Sequence, residues 1–171
     1  MTTTTALGTL GALAQSSGDA TAADTIEHEV SFTSTDGNNV GTARLIGTGS
    51  GLLIRLDLQD MPADQWVGFH IHENGACDAS GNFDSAGGHW NFGNTPHGFL
   101  TATGPHSGDM PNQYVRADGR LLADVFNAQA FLTGETGNVM GRALVVHGGA
   151  DDYETQPSGD AGDRIACAVI E

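Results

Sequence analysis

The sequence predicts an all-β domain, a sandwich or barrel of about eight antiparallel strands with two long loops. Three observations predict it. Short apolar runs alternate with polar residues at the strand period of two. Glycine fills 25 of 171 positions, about twice the ~7% of an average protein, which implies many tight turns. No helical pattern of roughly 10–15 residues separates the strand-like runs, so a parallel α/β sheet is not expected.

The elements follow in chain order. Residues 26–32 place Ile26, His28, Val30 and Phe32 on one face. Asp36-Gly37-Asn38-Asn39 is a turn cluster, residues 40–46 form the next strand, and residues 47–51 turn again. Leu52, Ile54, Leu56 and Leu58 then point one way and Leu53, Arg55 and Asp57 the other. Such runs joined by short Gly-rich turns are antiparallel hairpins. Residues 66–72 form a fourth strand, after which periodicity stops. From Glu73 to Pro111 there is only polar, Gly-rich chain, too long for a compact domain unless something orders it. Strands resume at residues 113–115, 121–126 and 142–147. A second polar loop spans 148–163, and residues 164–170 form the last strand.

Charge narrows the function classes. Six basic residues, all Arg, oppose 21 acidic ones, a net charge of −15. Nucleic acid and anionic membrane surfaces are therefore not expected partners. Only 16% of residues are charged, below the roughly 25% of ordinary domains, so the chain is not a charge-saturated disordered one. No run reaches the length of a membrane-spanning helix. Residues 1–24 differ from the rest: a weakly apolar run from Ala6 to Ala14 ends in a small-x-small pattern but lacks a basic start. They are expected to be a truncated or atypical export signal or a flexible tail, leaving residues 25–171 as the folded domain. Cys77 and Cys167 form no CxxC motif, so two buried thiols and one disulfide both stand as readings.

The histidines carry the chemistry. His70 and His72 are two apart on a strand, so both imidazoles leave one face. His89, His97, His106 and Asp109 place three imidazoles and a carboxylate within 21 residues of Gly-rich chain. That donor set completes a tetrahedral zinc shell, and metal binding would order a loop that apolar burial cannot. His28 stands alone on an apolar strand face and is expected to be a hydrogen-bonded structural residue. His147 ends the apolar run 143–146 and matters only if the fold brings it beside His70 and His72. Gly47-Thr48-Gly49-Ser50-Gly51 lies in a hairpin turn rather than a strand-to-helix elbow, so hydrolase chemistry is not supported.

Six segments resemble the copper/zinc superoxide dismutase family, bacterial type. Gly68-Phe69-His70-Ile71-His72-Glu73 is similar to its copper-binding strand. Ala86-Gly87-Gly88-His89-Trp90-Asn91 is similar to the segment with the bridging His. His97-Gly98 and Gly104-Pro105-His106-Ser107-Gly108-Asp109 resemble the zinc loop. Val145-Val146-His147 resembles the strand with the last copper ligand, and Gly162-Asp163-Arg164-Ile165-Ala166-Cys167 the C-terminal signature.

The resemblance implies an eight-stranded Greek-key barrel and dismutation of superoxide to O2 and H2O2. It implies one copper held by His70, His72, His89 and His147, and one zinc held by His89, His97, His106 and Asp109. His89 would bridge the two and carry a proton. Asp151 would link a copper His to a zinc His, Arg164 would dock the anion, and Cys77 would pair with Cys167. The implied location is periplasmic or secreted, and the family commonly forms homodimers. A non-catalytic copper-handling module is the alternative, but it would be expected to lack a ligand or the Arg. Phe92 departs from the Pro frequent in the family, and Asp163 places a negative charge directly before Arg164.

Overall fold

The computed structural model describes Met1 and residues 25–171; the expected export segment lies almost wholly outside the described residues. Nine strands are present among the described residues: β1 (Ile26–Ser34), β2 (Asn39–Thr48), β3 (Gly51–Leu58), β4 (Gln65–Val67), β5 (Phe69–His72), β6 (Gln113–Val115), β7 (Leu121–Asn127), β8 (Ala143–His147) and β9 (Arg164–Val169). Seven form a curled antiparallel sheet in the order β5-β8-β9-β1-β2-β3-β7, and β4 pairs with β6. The first and last strands of the chain lie side by side, as do β3 and β7, which are more than sixty positions apart. Among the described residues no helix is long and apolar enough to cross a membrane.

Alternation decides which residues fill the core. Leu52, Ile54, Leu56 and Leu58 of β3 are buried while Arg55 and Asp57 face water, as the period-two pattern requires. On β1 the same pattern holds only in part. Val30 and Phe32 are buried, but Ile26 is exposed and His28 is half-buried opposite Leu45.

One expected strand is two. Residues 66–72 break at Gly68, and the halves join different sheets. Gly68 N donates to Gly149 O, and Gly68 O accepts from His147 N. A Cβ at residue 68 would sit 3.0 Å from the Ala161 side chain and 3.2 Å from the His70 ring. The missing side chain lets the chain cross at this point.

Strands β5 and β8 are buried on both faces. Phe69, Ile71, Leu144 and Val146 enter the barrel core. The opposite parity faces outward, where Ala143 and Val145 pack against Phe83, Ala86 and Cys167 in a second small cluster. His70, His72 and His147 share that outward parity. The first long loop covers it and binds β5, the edge strand, along its free side. Trp90 N donates to Ile71 O at 2.8 Å, Ile71 N to Gly108 O at 2.9 Å, and Glu73 N to Gly88 O at 2.9 Å. Pairing an exposed edge in this way satisfies its backbone groups and blocks edge-to-edge association.

The Cys77–Cys167 disulfide pins this loop to β9, with Cα atoms 5.7 Å apart and 90 positions between them. Closing a loop that long stabilises the fold by roughly 4–5 kcal/mol in the chain-entropy model.

Candidate metal centre

Strand register brings His147 to His70 and His72. Phe69 pairs with Val146 and His70 with Val145, so His147 falls one step beyond, opposite Gly68. Residues on one face of adjacent strands are neighbours along the diagonal, and the His70 and His147 ring centroids lie 4.9 Å apart. The loop delivers His89 above them, 4.0 Å from the His70 ring.

Two groups result. His70, His72, His89 and His147 present ring nitrogens within 4.8 Å of one another. His89, His97, His106 and Asp109 do the same with one carboxylate oxygen. Every His expected to ligate metal lies in one of the two groups. His28 lies in neither.

Hydrogen bonds fix which nitrogen of each ring faces inward. His72 Nδ1 donates to Gly87 O at 2.9 Å and His147 Nδ1 to Gly162 O at 3.2 Å. Their Nε2 atoms then face each other at 3.4 Å, two lone pairs that cannot bond to one another while both rings are neutral. His70 Nε2 is 2.8 Å from Asp151 Oδ2 and His97 Nε2 is 3.0 Å from Asp151 Oδ1, so one carboxylate orients a ring in each group. His89 Nδ1 lies 2.8 Å from Asp109 Oδ1. What remains is telling: His70 Nδ1 and His89 Nε2, both in the four-His group, are buried without a hydrogen-bond partner, while His97 Nδ1 lies 3.0 Å from Asp109 Oδ2. Orphaned buried polar atoms are costly. Here both belong to the four-His group, and the second group sets three imidazoles against one carboxylate, so the residues present fit two metal ions.

Electrostatics differ between the groups. Burial, and then the neighbouring His89, lower His70 to about 4. Burial, and then His70, lower His147 to about 3, and His72 is depressed for the same kind of reason. These rings are neutral at pH 7, the state in which imidazole binds metal. Burial would also depress His97, but hydrogen bonds with Asp109 and Asp151 outweigh it and raise His97 to about 9. Burial alone would raise Asp109 and Asp151; hydrogen bonds with the buried His side chains hold both well below the usual carboxylate range.

Arg164 is held beside the four-His group by two backbone carbonyls. Its Nη1 donates to Phe83 O at 2.6 Å and its Nη2 to Gly87 O at 2.7 Å. Gly87 O therefore fixes both Arg164 and His72. A cavity of about 430 Å³ opens here, lined by His72, His89, His147, Pro157, Ser158 and Arg164. It suits a small anion. Asp84 lies 4.0 Å from Arg164 on the outer side and is exposed.

Several positioning residues carry no signal in the sequence. Asn112 holds Asp151 through two bonds of 2.8 Å, Nδ2 donating to its carbonyl and Oδ1 accepting from its N–H. Gln156 does the same for His97. Gly159 lies directly over the Asp151–His97 contact, where a Cβ would fall 1.8 Å from Asp151 Oδ1. Isolated amides and one glycine among 25 have no motif to mark them.

Known proteins agree with this geometry. Residues 39–170 match the model of the copper/zinc superoxide dismutase (SODC) family. "Superoxide dismutase [Cu-Zn] 1" of Aquifex aeolicus is 44% identical over 139 residues, covering 79% of this chain and 82% of that protein. "Superoxide dismutase [Cu-Zn]" of Caulobacter vibrioides is 36% identical over 142 residues, 80% of each chain. Among solved structures, a SOD-like protein from Bacillus subtilis superposes with a TM-score of 0.80 at 36% identity, covering 84% of this chain and 98% of that one. The Cu/Zn superoxide dismutase from Brucella abortus gives 0.71 at 30% identity, covering 85% of this chain and all of that one. With its barrel, its paired His groups and these relatives, the chain belongs to the copper/zinc superoxide dismutase family.

Proposed function

We propose that this protein dismutates superoxide at a centre with copper in the His70–His72–His89–His147 group and zinc in the His89–His97–His106–Asp109 group. The observation that carries the assignment is the pair of orphaned nitrogens His70 Nδ1 and His89 Nε2, buried in the four-His group, beside a second group of three imidazoles and one carboxylate that shares His89. Copper supplies the alternating one-electron chemistry that oxidises one superoxide and reduces the next. The chain supplies the rest. Arg164, fixed by Phe83 O and Gly87 O, docks the anion in the cavity. His89 Nε2, which faces the four-His group, holds a proton and passes it to the reduced substrate, while its Nδ1, beside Asp109 and His106, is the nitrogen that would hold zinc. Asp151 keeps His70 and His97 in the tautomers that aim Nδ1 inward.

Residues 25–171 are read as the dismutase domain and the preceding segment as an export signal. A periplasmic or secreted location is supported by the Cys77–Cys167 bond, since disulfides persist in oxidising compartments. A homodimer is supported by the exposed Trp66 and Tyr114, stacked edge-on across β4 and β6. The copper-handling alternative is not favoured, because no expected ligand is missing and Arg164 is present.

The test is metal content with superoxide consumption. Protein reconstituted with both metals is expected to carry one of each per chain and to consume superoxide far above buffer. Arg164→Ala should lower kcat/KM about tenfold, the size of one charge-assisted hydrogen bond of ~1.5 kcal/mol, and leave the copper spectrum unchanged. A copper-loaded, folded protein with no activity above buffer would sink the proposal.

A further inference from the structure

One side-chain amide reaches from the second long loop to the backbone of the first. Gln156 Oε1 accepts from His97 N at 2.9 Å, and Gln156 Nε2 donates to His97 O at 2.9 Å. One amide thus pairs with both backbone groups of one residue, as an adjacent strand would. A further bond from Nε2 to Glu154 O, at 2.9 Å, fixes the orientation of the amide.

The surrounding backbone is equally close. Leu100 N donates to Tyr153 O at 3.1 Å. Gly98 has a φ of +99°, and a Cβ there would lie 1.9 Å from Tyr153 O. Residues 97–100 and 153–156 therefore lie directly against each other, and only glycine permits the approach.

The His97 ring is fully buried, and Asp151 and Asp109 surround its two nitrogens. Its Nδ1 can meet an ion only if the backbone of His97 holds the ring at one depth; Gln156 holds that backbone at both its N–H and its carbonyl, sharing the carbonyl with Thr101 Oγ1 at 3.1 Å. On its other side Gln156 is followed by Pro157 and Ser158, which wall the cavity containing His72, His89, His147 and Arg164. Proline's fixed φ stiffens the step from Gln156 to that wall.

We propose that Gln156 is a positioning residue that sets His97 for zinc and passes zinc occupancy to the wall of the copper-side cavity. This rests on the assignment of His97 to zinc. Gln156 is itself exposed, so truncating it opens no core cavity, and its effect is read through His97 and the loop rather than through packing.

The experiment strips the full-length protein of metal and titrates it with zinc against a competing chelator. Hydrogen exchange across residues 152–160 is followed with and without zinc. Zinc should slow exchange in that segment of the wild type. Gln156→Ala should weaken zinc binding about tenfold, the low end for loss of a residue supporting a ligand. It should also remove the zinc-dependent slowing even at saturating zinc. Gln156→Glu keeps the acceptor for His97 N but loses the donor for His97 O, so it should fall between the two.

A purely structural role predicts something else: equal loss of Tm in the metal-free and zinc-saturated forms, with zinc affinity and protection as in wild type. That result overturns the proposal, as does a wild type whose segment 152–160 does not respond to zinc. If the wild type binds no zinc, or His97→Ala binds it as tightly, the site assignment falls and this proposal with it. Tight binding that depends on His97 and ignores Gln156 overturns this proposal alone.

Discussion

The four-His group and the three-His–carboxylate group share His89 but stand on different foundations. Three of the four His side chains in the first come from strands: His70 and His72 from β5, and His147 from the end of β8. Sheet register spaces them, so their geometry exists before any ion arrives. Every member of the second group lies on the long loop between residues 73 and 111, which has no regular strand. Its geometry depends on hydrogen bonds. Asp109 alone accepts from Gly98 N and His106 N at 2.9 Å and contacts His89 at 2.8 Å. Their electrostatics differ as well: His70, His72 and His147 are depressed in the first group, whereas in the second His106 is depressed but His97, between two carboxylates, is raised. A strand-mounted site is pre-formed and kept neutral; a loop-mounted site must carry its own counter-charges to hold its shape.

The largest effect that would sharpen this contrast comes from the shared residue. His89→Ala should lower both metal stoichiometries and take superoxide consumption to background. His72→Ala should lose copper while keeping zinc, as metal analysis would show. A His72→Ala protein that also lost zinc would break the distinction between the two groups.

The next effect is on the metal-free fold. Asp109→Ala strands buried donors and removes a buried charge from its partners, which should cost about 3–5 kcal/mol in urea unfolding. His72→Ala, on a pre-formed strand, should cost about 1 kcal/mol. Equal costs would mean the loop is held by something other than Asp109.

A smaller effect is the pH dependence of the metal-free protein. His97 binds its proton more tightly folded than unfolded, so stability should rise as pH falls from about 9 towards 6.5. His70 and His147 behave oppositely. The unfolded chain protonates them near 6.5, but the fold resists until about 4 and about 3, so stability should fall as pH drops through that window. A maximum near neutrality in pH-dependent unfolding is expected; a plateau down to pH 4 would mean the strand-mounted His side chains are not held neutral.

The smallest effect concerns salt. With no Lys and a net charge of −15, attraction of the anion would have to come from the metals and Arg164, with Asp84 and Asp163 beside them. Added salt screens a background that repels, so the rate should fall little or rise. A steep fall with ionic strength would reveal a positive field at the cavity.

Much of the barrel is legible in the sequence because strand alternation is a local property. The β3 pattern from Leu52 to Leu58 is buried as written. The split at Gly68 is not legible, since its cause is the approach of Ala161 and His147 from 93 and 79 positions away. His70, His72, His89, His97, His106 and Asp109 are legible because imidazole and carboxylate are distinctive donors at recognisable spacings; His147 is marked only by the resemblance to the family. Asn112, Gln156 and Gly159 are not legible, because their role is to touch a backbone or a carboxylate that only the folded chain brings within reach.

The sequence by itself determined the all-β class, the one-faced pair His70 and His72, the donor set of the first long loop, and a charge unsuited to polyanion partners. Each is a matter of periodicity, spacing or composition, and none needs a long-range contact. Only the tertiary structure decided that β5 pairs with β8, so that His147 reaches His70; that Cys77 meets Cys167; and that one carboxylate, Asp151, touches a ring of each group. Those are meetings of chain segments far apart in sequence, fixed by sheet register and loop closure, which no local pattern encodes.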